Sequence, residues 1–411
     1  MKILLIHQYF LRHKGSGGSR FNEMAKIWTS QGHEVTVIAG MIFHNSGKKY
    51  KDFEGKIFCN ESFDGIKIIR CHDSNGSQKS FFRRLIAYSM FTVTSIIAGI
   101  FYAKEKYDCI IVSSPPLFVG FSGVIISFIK RIPLVFEVRD LWPESAIDTG
   151  VLKNKLLIKF SYLIEKYIYN CSTLINVLTP AFYDVMIKEK KISKSKLSYI
   201  PNGSDFNLSK VSLQKFNRTE FRKKNNFNDY FVIVYVGAHG IANNLIQLIS
   251  AAERLKKSKV IFLLIGNGME KKSLIQEANK LQLKNVIFMD SISKENVFKY
   301  LSASDAGISV LKKTDTFKTI YSNKTFDYMT CKLPVLMAID GISKKLVNDA
   351  KCGYYIEPEN LDHYEKVILR LINTSREDLK IMGNNGYNHA KKHFDREVLA
   401  KKFISNIKKI L

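Results

Sequence analysis

Short apolar runs bounded by glycine and polar residues alternate along this chain with longer amphipathic stretches. Lys2-Ile3-Leu4-Leu5-Ile6 reads as a strand, then come a loop with Gly15, Gly17 and Gly18 and a helix from about Arg20 to Gln31, closed by Gly32-His33. Strands follow at Glu34 to Ala39, Ile66 to Ile69, Asp108 to Val112, Leu134 to Val138 and Thr173 to Val177. Ser198-Tyr199-Ile200-Pro201-Asn202-Gly203 leads into a linker rich in Asn, Ser and Lys. A second series opens at Phe231 to Gly237 and runs through Val260 to Ile265, Val286 to Phe288, Ala306 to Val310 and Val335 to Ala338. Strands apolar along their whole length, with helices between, belong to parallel sheets covered on both faces. The pattern predicts an α/β chain of two doubly wound, Rossmann-like domains facing a cleft, with ligands at the carboxyl ends of strands. The expected domains are 1–205 and 206–390, with a terminal helix in 391–411 crossing back to the first.

One segment departs from this rhythm. Leu85 to Ala103 carries no charged residue and follows Phe81-Phe82-Arg83-Arg84. It approaches the length of a membrane-spanning helix, about 20 residues. Ser89, Thr92, Thr94 and Ser95 interrupt it and Lys104 closes it, which favours a buried or membrane-lying helix over a span.

Charge narrows the partners. Against 37 acidic residues stand 63 Lys and Arg, a formal net charge of +26. Nucleic acid, an anionic membrane surface and phosphorylated substrates all fit. The basic residues are dispersed, apart from a run at Lys188, Lys190, Lys191, Lys194 and Lys196 that reads mainly as solvated surface, so membrane ranks ahead of nucleic acid. The 6 cysteines form no C-x-x-C pair, and Cys109 and Cys171, in apolar runs, read as buried thiols. The first strand begins without a signal peptide, and a cytoplasmic location is expected.

Candidate chemistry gathers at strand ends. Gly237-Ala238-His239-Gly240 follows the first strand of the second series, where a glycine turn ahead of a helix offers backbone N–H groups to a diphosphate. It is not G-x-G-x-x-G and no acid ends the next strand, which disfavours NAD. Gly266-Asn267-Gly268 ends that next strand and brings backbone close to a base or phosphate. Asp327 is read as the acidic opening of a helix that closes at Cys331-Lys332-Leu333-Pro334; with Asn323 and Lys324 it suits a phosphate-bearing ligand such as a nucleotide sugar. These segments, 237–240 and 323–327, are expected to meet. In the first series, Gly17, Gly18 and Ser19 permit close approach of a ligand, Arg20 is placed to pair with an anion, and His7 ends the first strand. Arg139, Asp140 and Glu144 cluster beside Trp142 at the end of a buried strand, where charges need partners or a ligand. Arg139 suits a leaving phosphate or a carboxylate; Asp140 and Glu144 suit sugar hydroxyls or a base; an internal Arg–Asp bridge with a helix cap at Asp140 is the alternative. No Asp-x-Asp sits at a strand end, so neither a metal nor another cofactor is expected.

His7-Gln8-Tyr9-Phe10 with Gly17-Gly18, Ser113-Ser114-Pro115-Pro116-Leu117, Arg139-Asp140-Leu141-Trp142-Pro143-Glu144-Ser145 and Ile200-Pro201-Asn202-Gly203-Ser204-Asp205 together resemble a bacterial family-4 glycosyltransferase of the GT-B fold. The subgroup that assembles O-antigen and capsule units, and includes the fucosaminyltransferases, is the nearest in pattern. The resemblance implies a hexosyltransferase-type enzyme working on a UDP-sugar, with N-acetyl-L-fucosamine as the transferred sugar. It implies a polyprenyl-diphosphate-linked acceptor at the inner face of the plasma membrane, and retention of anomeric configuration. The second Glu of the family's Glu-x7-Glu motif falls on Asp327, implying ribose contact, while the first falls on Thr319. Arg139 stands where many members have a His. Ile241, Ala242, Asn243 and Asn244 replace the usual Arg and Lys after the glycine turn, and Lys324 is expected to supply that charge. A UDP-sugar epimerase of the same fold is the competing reading.

Overall fold

The structure, a computed structural model, describes the chain outside 13–19, 43–48, 50, 75–80 and 149, with the backbone alone at 81–84. Two compact units form: Met1–Pro201 with Glu397–Leu411, and Asn202–Arg396.

The first unit contains β1 (Lys2–Ile6), β2 (Glu34–Gly40), β3 (Phe58–Phe63), β4 (Ile66–Cys71), β5 (Cys109–Ser114), β6 (Leu134–Val138), β7 (Leu174–Val177) and β8 (Leu197–Tyr199). Among the described residues these form one sheet in the order β3-β4-β2-β1-β5-β6-β7-β8. All neighbours pair parallel except β3 and β4. The apolar-run pattern does not announce that edge hairpin, because Phe58–Phe63 alternates polar and apolar residues instead of forming an apolar run. Its two-residue turn, Asp64-Gly65, has positive φ at both positions (50° and 74°), the pairing that suits right-twisted strands. Helix Arg20–Ser30 buries Phe21, Met24, Ala25 and Trp28, a spacing that keeps one face inward. The C-terminal helix Arg396–Lys408 seals this core: Trp28 Nε1 donates to Ala400 O at 3.0 Å, and Phe403 packs edge-on to Phe21.

The apolar segment forms an α-helix, Phe81–Ile97, extended by a π-helical turn, Ala98–Tyr102. Leu85–Tyr102 is long and apolar enough to cross a membrane by length and composition. One side packs on helix Val119–Lys130, where Ser95 Oγ lies 2.7 Å from Ser122 Oγ, and the other side faces outward. Cys109 is buried as expected, but Cys171 is exposed, because it ends helix Lys155–Cys171 on that helix's outer side.

The second unit contains β9 (Phe231–Val236), β10 (Val260–Ile265), β11 (Val286–Met289), β12 (Ala306–Val310), β13 (Val335–Ala338) and β14 (Gly353–Tyr355), in the order β11-β10-β9-β12-β13-β14, all parallel. The order reverses between β9 and β12, so the crevice beyond the carboxyl end of β9 is where such a sheet takes a ligand. In the same unit the segments at 204 and 394–396 are joined: Ser204 N–H donates to Phe394 O at 3.0 Å and Arg396 N–H to Ser204 O at 3.1 Å.

Candidate functional site

After β9 the chain makes the turn Gly237–Gly240, and after β10 the turn Gly266–Gly268; the two are zipped together. Gly237 N–H donates to Ile265 O at 3.0 Å, His239 N–H to Asn267 O at 3.0 Å, and Glu270 N–H to His239 O at 2.9 Å. The approach is so close that a Cβ on Gly266 would stand 1.8 Å from Gly237 O, and one on Gly268 2.3 Å from His239 O. Lys271 locks the far side, donating to Gly266 O (2.9 Å) and Met289 O (2.8 Å) while pairing with Asp290 at 2.7 Å. Neither Lys271 nor Asp290 belongs to a motif in the sequence; their pairing is visible only in the fold.

The helix expected directly after Gly240 starts later. A 3-10 turn, Ile241–Asn243, and a left-handed Asn244 precede helix Ile246–Arg254. The turn's N–H groups are therefore aimed by the β10 loop, not by a helix end. Those of Gly237 and His239 are engaged; among the described residues, neither Ala238 nor Gly240 donates its N–H to another group. His239 is fully buried between Tyr235 and Phe288, and burial, with Lys271 nearby, holds its pKa down at about 4, so the ring is neutral.

Helix Asn323–Thr330 begins after Ser322. Its Lys324 reaches Gly237: the Lys324 Cε is 3.0 Å from where a Gly237 Cβ would be. The ammonium lies 4.8 Å from the centre of the Tyr235 ring and 3.4 Å from Ser322 Oγ. No carboxylate among the described residues pairs with it, and burial pulls its pKa down to about 8. Segments 237–240 and 323–327 thus meet, as expected.

Asp327 does not open this helix; it is one turn in, because Asn323 already has helical geometry. Asp327 Oδ1 accepts from Ser204 Oγ at 2.7 Å and Oδ2 pairs with Lys294 at 3.1 Å. Asn323, one turn earlier on the same face, accepts from Asn202 Nδ2 at 2.7 Å. The two residues hold the Asn202–Ser204 turn against the helix. Thr319 donates its hydroxyl to Thr316 O at 2.6 Å within the turn Thr316–Thr319.

In the first unit, His7 is buried at the end of β1, edge-on to Phe21 at 5.8 Å. Gly17, Gly18 and Ser19 lie outside the described residues. Arg20 does not stand in an open loop: it is buried as the first residue of its helix, its Nε paired with Glu137 at 3.0 Å and its other nitrogens donating to Ile200 O and Pro201 O. An arginine so enclosed fixes the strand end of β6 to the end of the first unit, and that corrects the anion-pairing expectation.

Beyond β6, Arg139 and Asp140 are half-buried. Asp140 accepts from Ser145 Oγ at 2.9 Å; burial, with Glu144 nearby, raises its pKa to about 6 despite that bond. Glu144 heads the short helix Glu144–Asp148 and shares Lys190 with Glu165, which lies 2.7 Å from the ammonium. Burial pushes Glu165 up to about 7. Lys190 belongs in the sequence to a basic run that reads mainly as solvated surface, yet it is the cation of this enclosed acid pair. Among the described residues no three of His, Cys, Asp and Glu converge as metal ligands.

Residues 217–389 match the family described as glycosyl transferases group 1, and residues 15–203 match the glycosyl transferase 4-like domain. The putative colanic acid biosynthesis glycosyl transferase WcaI of Escherichia coli K12 is 22% identical over 320 residues, 76% of this chain and 77% of WcaI. Among solved structures, Anabaena HepE in complex with UDP and glucose superposes with a TM-score of 0.71 at 17% identity, covering 100% of both chains. WaaG, a glycosyltransferase involved in lipopolysaccharide biosynthesis, superposes with a TM-score of 0.70 at 18% identity, covering 99% of each. At such identities the structural likeness carries the fold alone, and that fold is GT-B.

Proposed function

We propose, for a chain that is a glycosyltransferase of the GT-B type built from a 4-like domain and a group 1 domain, that it moves a sugar from a UDP-sugar to a polyprenyl-diphosphate-linked sugar in bacterial surface-polysaccharide assembly. The observation that carries the donor half is the Lys324 ammonium, half-buried beside Gly237 with its pKa lowered by that burial and with no carboxylate among the described residues to neutralise it. A half-buried cation in that condition is matched by an anion from outside, and the carboxyl end of β9 is where a diphosphate fits the sheet.

In the reaction the bond from the anomeric carbon to the diphosphate breaks, and its electron pair leaves with UDP. An acceptor hydroxyl supplies the new C–O bond and gives up its proton. Lys324 and the N–H groups of Ala238 and Gly240 take the charge that builds on the leaving group. Gly266, Asn267 and Gly268 shape the floor beneath it, Asn323 and Asp327 the ribose side. On the first unit, Arg139, Asp140 and Glu144 are assigned to the sugar and acceptor. Asp140, with its pKa near the pH of operation, is the group suited to receive the acceptor's proton. His7 and the loop of Gly17, Gly18 and Ser19 are assigned to the same side. No metal takes part in this scheme, and retention of configuration is carried over from the family resemblance.

The relatives support the substrate classes. HepE was solved with UDP and glucose, WcaI is named for colanic acid and WaaG for lipopolysaccharide. The acceptor class puts the enzyme in the cytoplasm, peripheral to the inner face of the plasma membrane. As the chain is a glycosyltransferase, the epimerase alternative is set aside.

The test is a thermal-shift screen of UDP, other nucleoside diphosphates and a panel of UDP-sugars that includes UDP-N-acetyl-L-fucosamine. A native-state ligand at about a hundred times its Kd adds about 2.7 kcal/mol. UDP and at least one UDP-sugar should raise the melting temperature, and that sugar should then appear on a polyprenyl-diphosphate acceptor. A shift with another nucleotide and none with UDP overturns the reading.

A further inference from the structure

We propose that three adjacent helices of the first unit, Phe81–Ile97, Val119–Lys130 and Lys155–Cys171, form one face that lies on the anionic surface of a lipid bilayer. The inference rests on the membrane-associated reading above and assigns the surface responsible.

The three helices are neighbours. Val119–Lys130 meets the first of them through Ser122 and Ser95, and meets Lys155–Cys171 where the rings of Phe121 and Tyr167 stand 6.1 Å apart. Their outward sides are apolar. On Lys155–Cys171, Leu156, Phe160, Leu163 and Tyr167 are all exposed, Leu156 by 79%. Their spacing, four, three and four residues, is a single stripe along the helix. Ile86, Met90, Val93 and Ile97 repeat the same spacing on Phe81–Ile97 and are also exposed. Between the two stripes Phe128 stands 83% exposed. Soluble proteins scatter exposed apolar side chains singly; two stripes with Phe128 between them, on three packed helices, are a patch that water disfavours.

Charge selects the occupant. Lys155, Lys159 and Lys166 form a second stripe on their helix, one residue back from the apolar one and therefore about 100° around the axis. Glu165 is the one acid in the sequence of the three helices, and it is buried against Lys190. The apolar patch is thus edged by cations with no exposed anion on the same helices, the pattern of an interfacial helix on acidic headgroups. The long apolar segment here has one side packed on protein, so it lies along the surface and does not cross it.

The full-length chain is tested by co-sedimentation with phosphatidylcholine vesicles with and without phosphatidylglycerol, alongside the UDP thermal shift. The wild type should sediment with the anionic vesicles and bind the neutral ones far less. Phe160→Glu with Leu163→Glu should cut vesicle binding by at least about tenfold, and Lys159→Glu with Lys166→Glu should remove the preference for phosphatidylglycerol. Both variants should keep the wild-type response to UDP. Vesicle binding unchanged in both variants overturns the proposal. So does a wild type that ignores vesicles and sediments as a dimer which Phe160→Glu with Leu163→Glu dissociates, because the face is then a subunit contact. A chain whose vesicle binding depends on these residues but which never responds to UDP upholds the face and refutes the donor reading.

Discussion

Lys324 holds its ammonium 4.8 Å from the centre of the Tyr235 ring and donates a hydrogen bond to Ser322 Oγ at 3.4 Å. Aromatic face and hydroxyl together offset only part of the cost of drawing a charge partly out of water. Lys324→Met should therefore do two opposite things. It should stabilise the ligand-free protein by on the order of 1 kcal/mol, and weaken UDP binding by about 10- to 100-fold, the worth of a charge-assisted bond. Melting curves with and without UDP read both. A variant that keeps its UDP response removes Lys324 from the donor site.

The same lysine gives the site a pH signature. Its pKa is near 8 in the folded protein against an ordinary 10.5. Below about pH 8 folded and unfolded chains both carry the proton and the burial penalty is present in full. Between pH 8 and 10.5 the unfolded state binds the extra proton, so the contribution of Lys324 to stability improves as pH rises. UDP affinity moves the other way, falling roughly tenfold per pH unit above 8 as the free site loses its ammonium. Calorimetric titration of UDP from pH 7 to 9.5 measures this, and Lys324→Met should flatten the profile. An equal slope in the variant assigns the pH effect elsewhere.

Gly266 and Gly237 set the geometry beneath that lysine. A methyl on Gly266 would fall 1.8 Å from Gly237 O, at a backbone φ of 152° that L residues rarely adopt. Gly266→Ala must part the two turns and break the bond from Gly237 N–H to Ile265 O. The expected cost is on the order of 2–4 kcal/mol, with UDP response lost. Retention of wild-type stability and UDP binding would show that the turns are not coupled.

The apolar strands made the two sheets legible in the sequence: Leu134–Val138, Val260–Ile265 and Ala306–Val310 are as the pattern predicts. Runs buried on both faces leave a signal that no tertiary contact is needed to read. Edge elements were lost for the opposite reason. Phe58–Phe63 is half exposed and alternating, and only its Asp64-Gly65 turn announces it. At the site, Lys324 beside Gly237 was legible because each follows or opens a regular element. The partners of Asp327 were not. Ser204 is 123 residues away in sequence, and its hydroxyl meets the carboxylate only because the returning segment at 394–396 fixes its backbone. The enclosure of Arg20 by Glu137, Ile200 and Pro201 was hidden in the same way. A long-range polar contact has no period.

Because Asp327 is held by Ser204 and Lys294, its role can be separated from its support. Ser204→Ala removes one hydrogen bond and should cost about 1 kcal/mol. Asp327→Ala also leaves Lys294 without that partner and should cost more, together with the UDP response if the carboxylate meets the ribose. A double-mutant cycle on stability should return a coupling of about 1 kcal/mol between the two positions. If Ser204→Ala abolishes UDP binding as fully as Asp327→Ala does, the carboxylate acts by holding the turn and not by touching the ligand.

Glu165 supplies a test in the first unit that does not depend on any ligand. Burial raises its pKa from an ordinary 4.5 to about 7, against the pull of Lys190 at 2.7 Å. Below about pH 4.5 the carboxyl is neutral in both states and its contribution to stability is complete. From 4.5 to 7 the folded state keeps a proton that the unfolded state has lost, so stability drains away as pH rises; above 7 both are ionised and the loss is complete. Glu165→Gln imitates the protonated form at every pH and can still accept from Lys190, which Glu144 continues to pair. Its stability advantage over the wild type should therefore be near zero at pH 4.5, grow through neutrality and level off at on the order of 2 kcal/mol. Denaturant titrations at fixed pH across that range give the curve directly. An advantage that is flat with pH, or that shrinks as pH rises, would mean that Lys190 keeps Glu165 ionised throughout and that burial does not govern the pair.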